Sequence, residues 1–306
     1  MINEDTGLRQ HRSFTHQLSS TLVSSTLTLL AIFATAAFCG AAEGRVEKTF
    51  DTTREPRVSL SNLRGTVLVR GWDKAQVHVT YTIGSPRVEV DTEVLPASGA
   101  AEKVHFMTHV LDPQASGDEA AANYTIEVPS NSNLEIRNPQ GSIRVEGIQA
   151  QGSVESVSAN IAIKDFSGHL SVRSVGGNIE ILRPTGHVDA VSVTGSLHFV
   201  SPATSVLRGS TTSGNIAFEG DFTERGDYVL STDSGDLDVA CPPRASFEVA
   251  ATTQRGKVLN TLNIKPRHAS ASPRAELNSL MGTSNTGRAT VDLKSYSGTI
   301  HIHPSD

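Results

Sequence analysis

The sequence has few cysteines, few aromatic residues and no dense basic segment. Its 306 residues include two cysteines, and aromatic side chains make up 5% of the chain, with Trp72 as the single tryptophan. Sugar-binding platforms and base-stacking surfaces depend on aromatic rings, so both kinds of site have little support. The net charge of -6 and the lack of a basic block argue against nucleic acid as a partner.

Residues 1–42 predict an export signal. Arg9 and Arg12 precede an apolar run over residues 22–38, and small residues follow it. We expect cleavage before Glu43. An uncleaved N-terminal membrane anchor is the alternative, because the apolar run is nearly long enough to span a bilayer.

Cleavage would leave Cys241 as the one cysteine of the exported chain. Cys39 lies inside the predicted signal, and bulky Phe38 before it argues against lipid attachment. No intramolecular disulfide can then form, so packing and backbone hydrogen bonds must supply the stability. We expect Cys241 to behave as a small buried hydrophobic residue.

One pattern repeats seven times between Leu134 and Asn260. Each copy has two alternating apolar residues, a small polar residue, a turn glycine, and a second alternating apolar pair. The glycine is replaced only once, by Ala159. The first apolar residues after the turns are spaced by 18, 18, 18, 19, 21 and 21 positions, at Ile143, Ile161, Ile179, Leu197, Ile216, Leu237 and Val258.

This repeat predicts two short strands joined by a tight turn. Alternation directs both apolar pairs to one side, and glycine allows backbones to approach closely at the turn. One such unit cannot bury its apolar face, so the copies must stack. We therefore predict an all-β fold, a parallel β-solenoid with two short strands per 18–21-residue rung. A Greek-key sandwich is the alternative, but it does not need the same residue type at the same offset in every unit.

The repeat also divides the rest of the chain. Residues 43–57 are expected to form a polar lead. Residues 58–130 are expected to hold a first repeat-like unit, Val58–Val69, followed by a small antiparallel β segment, because alternating runs are separated by turn residues.

Solenoid repeats are expected over residues 131–303. A proline-containing and small-residue-rich stretch over 259–286 breaks the repeat and is expected to loop out. The last copy, Ala289–Ile302, follows it, and Pro304 is expected to end this copy's strand at a protected sheet edge.

Two polar columns are expected to be structural. The small polar residues before the turns are expected to bind turn amides through their side chains. Asn160, Asn178 and Asn215 are expected to form an internal amide ladder or to adopt left-handed turn conformations.

The arrangement resembles the bacterial putative-adhesin family, whose members are exported or membrane-attached envelope proteins with β-strand repeats. The segments that carry the resemblance are Tyr124–Pro129, Leu134–Ile143 and Ser297–Ile300, together with the Ser/Thr-x-x-Gly-x-Ile/Leu turns. The resemblance extends over roughly Val58 to His303. It implies a β-repeat fold in the envelope and brings no catalytic residues, because turn glycines and core aliphatic residues account for all of it.

Two pairs of histidines are candidate metal ligands. His169 and His187 are one 18-residue repeat apart, so stacking would place them about 5 Å apart on the outer face. His301 and His303 share one face of a strand, with His198 as a distant third ligand. Solvated surface histidines are the alternative for both pairs, and two ligands are too few for a structural zinc site. We assign no metal and no cofactor.

Asp233, Asp236 and Asp238 cluster at one turn and could offer oxygens to calcium. Calcium-binding β-rolls repeat such aspartates in every unit, which this chain does not do, so a solvated acidic turn is favoured. One local basic cluster could meet an anionic surface polymer or lipid head groups, with a solvated loop as the alternative. It consists of Lys265, Arg267, His268 and Arg274.

The sequence contains no phosphate loop, nucleophile elbow or zinc-spaced Cys/His cluster. We therefore expect a non-enzymatic, exported scaffold of the cell envelope. Its expected partner is an envelope polymer, an envelope protein or a second copy of the chain. The alternatives are an envelope-stress or regulatory binding module and a β-helix carbohydrate-active enzyme, which would need carboxylates gathered in one groove.

Overall fold

The computed structural model describes residues 44–267 and 278–305, which are mostly strand. The predicted signal over residues 1–42 lies outside the described residues. Among those described, the one helical segment is a short 3-10 helix at Gly117–Ala120. No helix in these two ranges is long and apolar enough to cross a membrane.

Twenty-four strands follow one another in the described part of the chain. They form two sheets, here called sheet A and sheet B, whose buried faces share one hydrophobic core. The strands are β1 (Gly44–Ser61), β2 (Arg64–Trp72), β3 (Gln76–Ile83), β4 (Val88–Leu95), β5 (Ala101–Val110), β6 (Ala122–Pro129), β7 (Asn133–Arg137), β8 (Gln140–Glu146), β9 (Gln151–Glu155), β10 (Asn160–Lys164), β11 (Ser167–Arg173), β12 (Ile179–Leu182), β13 (Thr185–Ser192), β14 (Leu197–Val200), β15 (Ala203–Thr211), β16 (Ile216–Glu219), β17 (Asp227–Thr232), β18 (Leu237–Cys241), β19 (Phe247–Thr253), β20 (Val258–Asn260), β21 (Lys265–Pro266), β22 (Ser279–Ser284), β23 (Ala289–Ser295) and β24 (Ile300–Pro304).

Each rung has one strand in sheet B, a tight turn, and one strand in sheet A. In sheet A, Ile161 pairs with Ile179, which pairs in turn with Leu197. In sheet B, Leu170 pairs with Val188. All of these pairings are parallel and keep like residues in columns. The predicted parallel β-solenoid is therefore confirmed, and the Greek-key alternative, whose strands would be antiparallel, is wrong.

The stacking order departs from the chain order at the N-terminal end. Val58 pairs with Leu134 and Val67 pairs with Ile143, so the first repeat-like unit is a rung, as predicted. On its other side, β5 and β6 pair in parallel with β1 and β2 and form a further rung. The segment predicted as antiparallel thus supplies one solenoid rung, while β4 and β3 add antiparallel strands outside it.

Residues 43–57, expected as a polar lead, are strand from Gly44 onward. Gly44–Asp51 pair antiparallel with β3 in sheet A, whereas Arg57–Ser61 pair in parallel with β7 in sheet B. The long strand β1 therefore passes from one sheet to the other. The polar composition of its Gly44–Asp51 part is that of an outermost strand with one face in solvent, and the few apolar side chains there pack against the core.

The last rung of the chain is inserted into the stack. β23 pairs with β17 on one side and β19 on the other, and β24 lies between β18 and β20. This rung separates the rungs of Leu237 and Val258, which the repeat spacing predicted to be neighbours. The expectation that Pro304 ends an edge strand is wrong, because β24 has a neighbour on each side.

The insertion predicted over residues 259–286 is only partly a loop. β22 runs antiparallel to β19 and covers its free edge, and β21 pairs in turn with β22. Residues 268–277 lie outside the described residues. The insertion therefore supplies strands to the C-terminal end of sheet B.

Columns of aliphatic side chains, one residue from each rung, build the core. In the column through the first apolar residue after the turn, the side chains from Val67 to Leu237 and Ile300 are at most 1% exposed, and Val258 in the end rung is 8% exposed. Burying one such side chain contributes about 1.5–3 kcal/mol relative to leaving it in water. Aromatic rings in the core fit where the residue that faces them is small. Gly209 faces the ring of Phe199, and a Cβ at position 209 would come within 2.9 Å of that ring.

Candidate functional site

The small polar residues before the turns hold neighbouring rungs together. Thr232 Oγ1 accepts a hydrogen bond from the backbone N–H of Gly235 at 3.0 Å. The same hydroxyl donates to the carbonyl of Gly214 in the neighbouring rung at 3.1 Å. The bond to the turn amide recurs along the stack, for example between Ser174 and Gly177 at 3.0 Å. The predicted structural role of this column is confirmed.

The asparagines after the turns form a ladder on the outside of the solenoid. Asn160 Oδ1 accepts a hydrogen bond from the backbone N–H of Asn178 at 3.1 Å, and Asn178 Oδ1 accepts one from Ser196 at 3.0 Å. Asn215 Oδ1 continues the ladder to the backbone N–H of Asp236 at 3.0 Å. The ladder is confirmed, but its side chains are exposed rather than internal.

Asp165 and Arg183 pair across one rung step at the opposite corner of the solenoid. Both have left-handed backbones, with φ of 53° and 48°. The guanidinium of Arg183 donates two hydrogen bonds to the carboxylate of Asp165, each 2.8 Å long. The hydrogen bond lowers the pKa of Asp165 and raises the pKa of Arg183 from their usual values.

His169 and His187 are adjacent, as predicted. They are register partners in β11 and β13, and their ring centroids lie 4.6 Å apart. The structure adds Asp189, whose Oδ2 lies 2.8 Å from His187 Nε2. A separation of 2.8 Å is that of a direct charge-assisted hydrogen bond, so this His–Asp pair is satisfied without an ion.

Asp238 lies beside the second histidine pair, His301 and His303, although the sequence interpretation did not place it there. Asp238 Oδ1 lies 3.2 Å from His301 Nδ1, and Asp238 Oδ2 lies 3.3 Å from His303 Nε2. The two imidazole rings are stacked with centroids 4.6 Å apart. We call these three residues the β18–β24 cluster. The repeat order hid it, because it predicted β20 rather than β18 as the neighbour of β24.

The other predicted metal ligands lie elsewhere. His198 Nε2 lies 3.0 Å from Glu219 Oε1, so it does not join the β18–β24 cluster. Asp236 Oδ1 accepts a hydrogen bond from the backbone N–H of Thr299 at 2.7 Å and belongs to the ladder. Asp233, Asp236 and Asp238 therefore do not converge on one point, and within the described ranges they form no common metal-binding group.

An exposed apolar ridge runs along the turns. It is formed by one residue from each of five successive rungs, namely Leu63, Pro139, Val157, Val175 and Val193. The four aliphatic side chains are 43–51% exposed. Backbone hydrogen bonds from turn to turn fix their spacing, such as Gly176 N–H to Val157 O at 2.7 Å. We call these five residues the turn ridge.

The family profile of Toastrack DUF4097 matches residues 78–303, which include every rung except β1/β2. This chain belongs to the Toastrack DUF4097 family. Among solved structures it is similar to a putative cell adhesion protein from Clostridium sporogenes ATCC 15579. That similarity has 9% identity and a TM-score of 0.29, and it covers 85% of this chain and 100% of that chain. No curated protein matches the sequence significantly.

Membership of the Toastrack family confirms the predicted relationship to a β-strand-repeat family of unknown function. The sequence interpretation missed the turn ridge of this Toastrack chain. Its signal was present, because an apolar residue follows the small polar residue in consecutive copies. It could have been found by asking which column carries apolar residues without facing the core.

Two further predictions concern single residues of the Toastrack domain. Cys241 is buried and free, and burial raises the pKa of its thiol to about 12, with a smaller contribution from Asp221. The prediction of a small buried hydrophobic residue is therefore confirmed. In the basic cluster, Arg267 is paired with Glu248 at 2.8 Å, while His268 and Arg274 lie outside the described residues.

Proposed function

We propose that this Toastrack protein is an exported, non-enzymatic envelope scaffold that binds an envelope protein through the turn ridge. The turn ridge carries the proposal. It presents four exposed aliphatic side chains and the half-buried Pro139 in a row about 20 Å long, from four steps of about 4.8 Å. Contiguous exposed apolar patches on soluble domains mark interaction sites, whereas single exposed apolar residues do not.

The surroundings of the turn ridge favour a protein as the partner. Charged side chains at the ends of the sheet B strands flank it, including Arg137, Glu155 and Arg173. An apolar centre with a polar rim is the usual anatomy of a protein–protein interface. An envelope polysaccharide would need hydrogen-bonding groups or aromatic rings along the ridge, and valine side chains offer neither.

The rest of the solenoid supports a scaffold. The inner columns are used for packing, and the polar column before the turns is used for turn hydrogen bonds. Residues that differ from rung to rung are therefore found on the outer faces and turns, where a partner can reach them. The composition of residues 1–42 supports export.

Site-specific photo-crosslinking in intact cells tests this proposal. A photoreactive amino acid replaces Val175 in the turn ridge, and in a matched control it replaces Thr252, which is exposed on β19. We expect an adduct with an envelope protein from position 175 only, in the envelope fraction. Val157→Lys and Val193→Lys should reduce that adduct, because they place charges on the ridge.

Three outcomes would overturn the proposal. They are no adduct from position 175, the same adducts from both positions, and recovery of the protein in the cytoplasmic fraction. An adduct with a second copy of the chain would mean that the turn ridge binds another copy of this protein instead of an envelope protein.

A further inference from the structure

We propose that Asp238, His301 and His303 form a binding site for a divalent transition metal, and that zinc is the metal these ligands suit best. Imidazole nitrogens and a carboxylate oxygen are the ligand set of zinc sites that keep an open coordination position. The proposal is independent of the turn ridge and of the partner proposed for it.

Strand pairing places the three side chains on one outer face of sheet A. Asp238 and His301 are register partners in the parallel strands β18 and β24. His303 is two residues beyond His301, and alternation along a strand directs both imidazoles to the same side. The backbone of two hydrogen-bonded strands therefore holds all three ligands.

The tautomer of His303 is set by its neighbour. Its Nδ1 lies 3.0 Å from the backbone carbonyl oxygen of Pro304. A carbonyl only accepts hydrogen bonds, so Nδ1 carries the hydrogen and donates it. Metal-binding histidines use this arrangement, in which the second ring nitrogen donates to a carbonyl or carboxylate and orients the ring.

This tautomer creates a pair of facing acceptors. In neutral His303, Nε2 presents its lone pair, and it faces Asp238 Oδ2 at 3.3 Å. A carboxylate oxygen is also an acceptor, so either a second proton on His303 or a metal ion must lie between the two atoms. A metal ion bound to both atoms would take the place of that proton without disturbing the bond from Nδ1 to Pro304.

The distances fit zinc. Ligand atoms bound about 2.0–2.1 Å from a tetrahedral zinc lie about 3.3 Å from one another. The two measured separations between Asp238 oxygens and histidine nitrogens are 3.2 and 3.3 Å. One ligand atom from each residue can be chosen so that all three lie within 4.8 Å of one another. Small rotations of the histidine side chains would complete the site.

The site is open to a metal from solvent. The side chains of Asp238, His301 and His303 are 51%, 40% and 28% exposed. Three protein ligands leave one position of a tetrahedral zinc for water or for another molecule. A bound ion would also link β18 to β24, so it would stabilise the insertion of the last rung into the stack.

The comparable cluster on sheet B supplies an internal control. In that cluster, His187 and Asp189 already form a direct hydrogen bond at 2.8 Å. His198, on the same outer face as the β18–β24 cluster, is engaged by Glu219. His187→Gln and His198→Gln therefore remove a histidine–carboxylate pair without touching the proposed ligands.

Zinc titration of untagged, metal-stripped full-length protein tests the site. Calorimetry should show one equivalent of Zn²⁺ whose affinity falls roughly tenfold or more in His303→Gln and in Asp238→Asn, since each removes a ligand. His187→Gln and His198→Gln should leave that affinity unchanged. Zinc should raise the midpoint of thermal unfolding of the native chain but not of His303→Gln.

Co²⁺ absorption provides a second measurement, because a tetrahedral site gives characteristic visible bands that the His303→Gln variant should lose. Circular dichroism of each variant checks that it is folded. The proposal is wrong if the native protein shows no saturable Zn²⁺ binding. It is equally wrong if binding persists in both His303→Gln and Asp238→Asn, or disappears in His187→Gln.

Discussion

Thr232→Val should show how strongly the polar column before the turns stabilises the solenoid. Valine has nearly the shape of threonine, so the change removes one hydroxyl while preserving the packing. Thr232 is 3% exposed, and its hydroxyl bonds both the amide of Gly235 and the carbonyl of Gly214. The variant leaves both of these backbone groups without that partner in a buried turn.

The expected loss follows from these two groups. A buried donor or acceptor that loses its partner costs about 1–3 kcal/mol, so two of them together should cost about 3 kcal/mol. The matched control is Thr252→Val. Thr252 is exposed on β19, where a surface substitution should change the free energy of unfolding by less than about 0.5 kcal/mol.

Urea unfolding at equilibrium measures the difference. A loss of about 3 kcal/mol should lower the midpoint of Thr232→Val by about 1 M, with the slope unchanged. Circular dichroism follows all strands and Trp72 fluorescence follows one rung, so coincident transitions justify a single free energy. Equal midpoints for Thr232→Val and Thr252→Val would refute the reasoning, because the turn hydroxyls would then contribute no net stability.

Three further predictions concern the turns, the thiol and the corner pair. Gly298→Ala should lower the free energy of unfolding by about 3 kcal/mol or more, because its Cβ would lie 1.8 Å from the backbone carbonyl oxygen of Gly235. Gly176→Ala, whose Cβ would have no neighbour closer than 3.4 Å, should leave that free energy nearly unchanged, and urea unfolding measures both variants. The Cys241 thiol, whose pKa burial raises to about 12, should resist iodoacetamide at pH 8 until denaturant is added, as mass spectrometry of its peptide would show. Arg183→Gln should return the lowered pKa of Asp165 toward its ordinary value in a carbon-13 NMR titration; in the native chain this pair adds stability above the ordinary carboxyl pKa and loses it as pH falls through the lowered value.

The repeat could be predicted from the sequence because each column of equivalent residues meets one structural requirement. Gly235 must be small, since a Cβ there would lie 1.9 Å from the carbonyl oxygen of Gly214 in the next rung. Thr232 must carry a short hydroxyl side chain to reach that same carbonyl. Such requirements recur at most of the rungs, so spacing alone identified the strands, the turns and the parallel stacking.

The order in which the rungs stack could not be predicted from the sequence, because every rung has the same columns. Because the columns are alike, the rung of Ile300 fits against the rung of Leu237 as well as against that of Val258. Local pattern therefore does not specify which rungs are neighbours, and the chain order was the wrong guide at both ends. The β18–β24 cluster was missed as a consequence, since Asp238 meets His301 only in the inserted arrangement.

The ends of the stack bear on how a second copy of the chain could bind. Head-to-tail stacking of solenoids needs free parallel edges, which are a general route to uncontrolled association. Within the described residues, β1 and β4 cover one end of the two sheets and β22 with β21 covers sheet B at the other, all by antiparallel pairing. The remaining edge, β20, is only three residues long. Continued parallel stacking is therefore disfavoured, and an outer face or the turn ridge is the surface on which a second copy or another partner can bind.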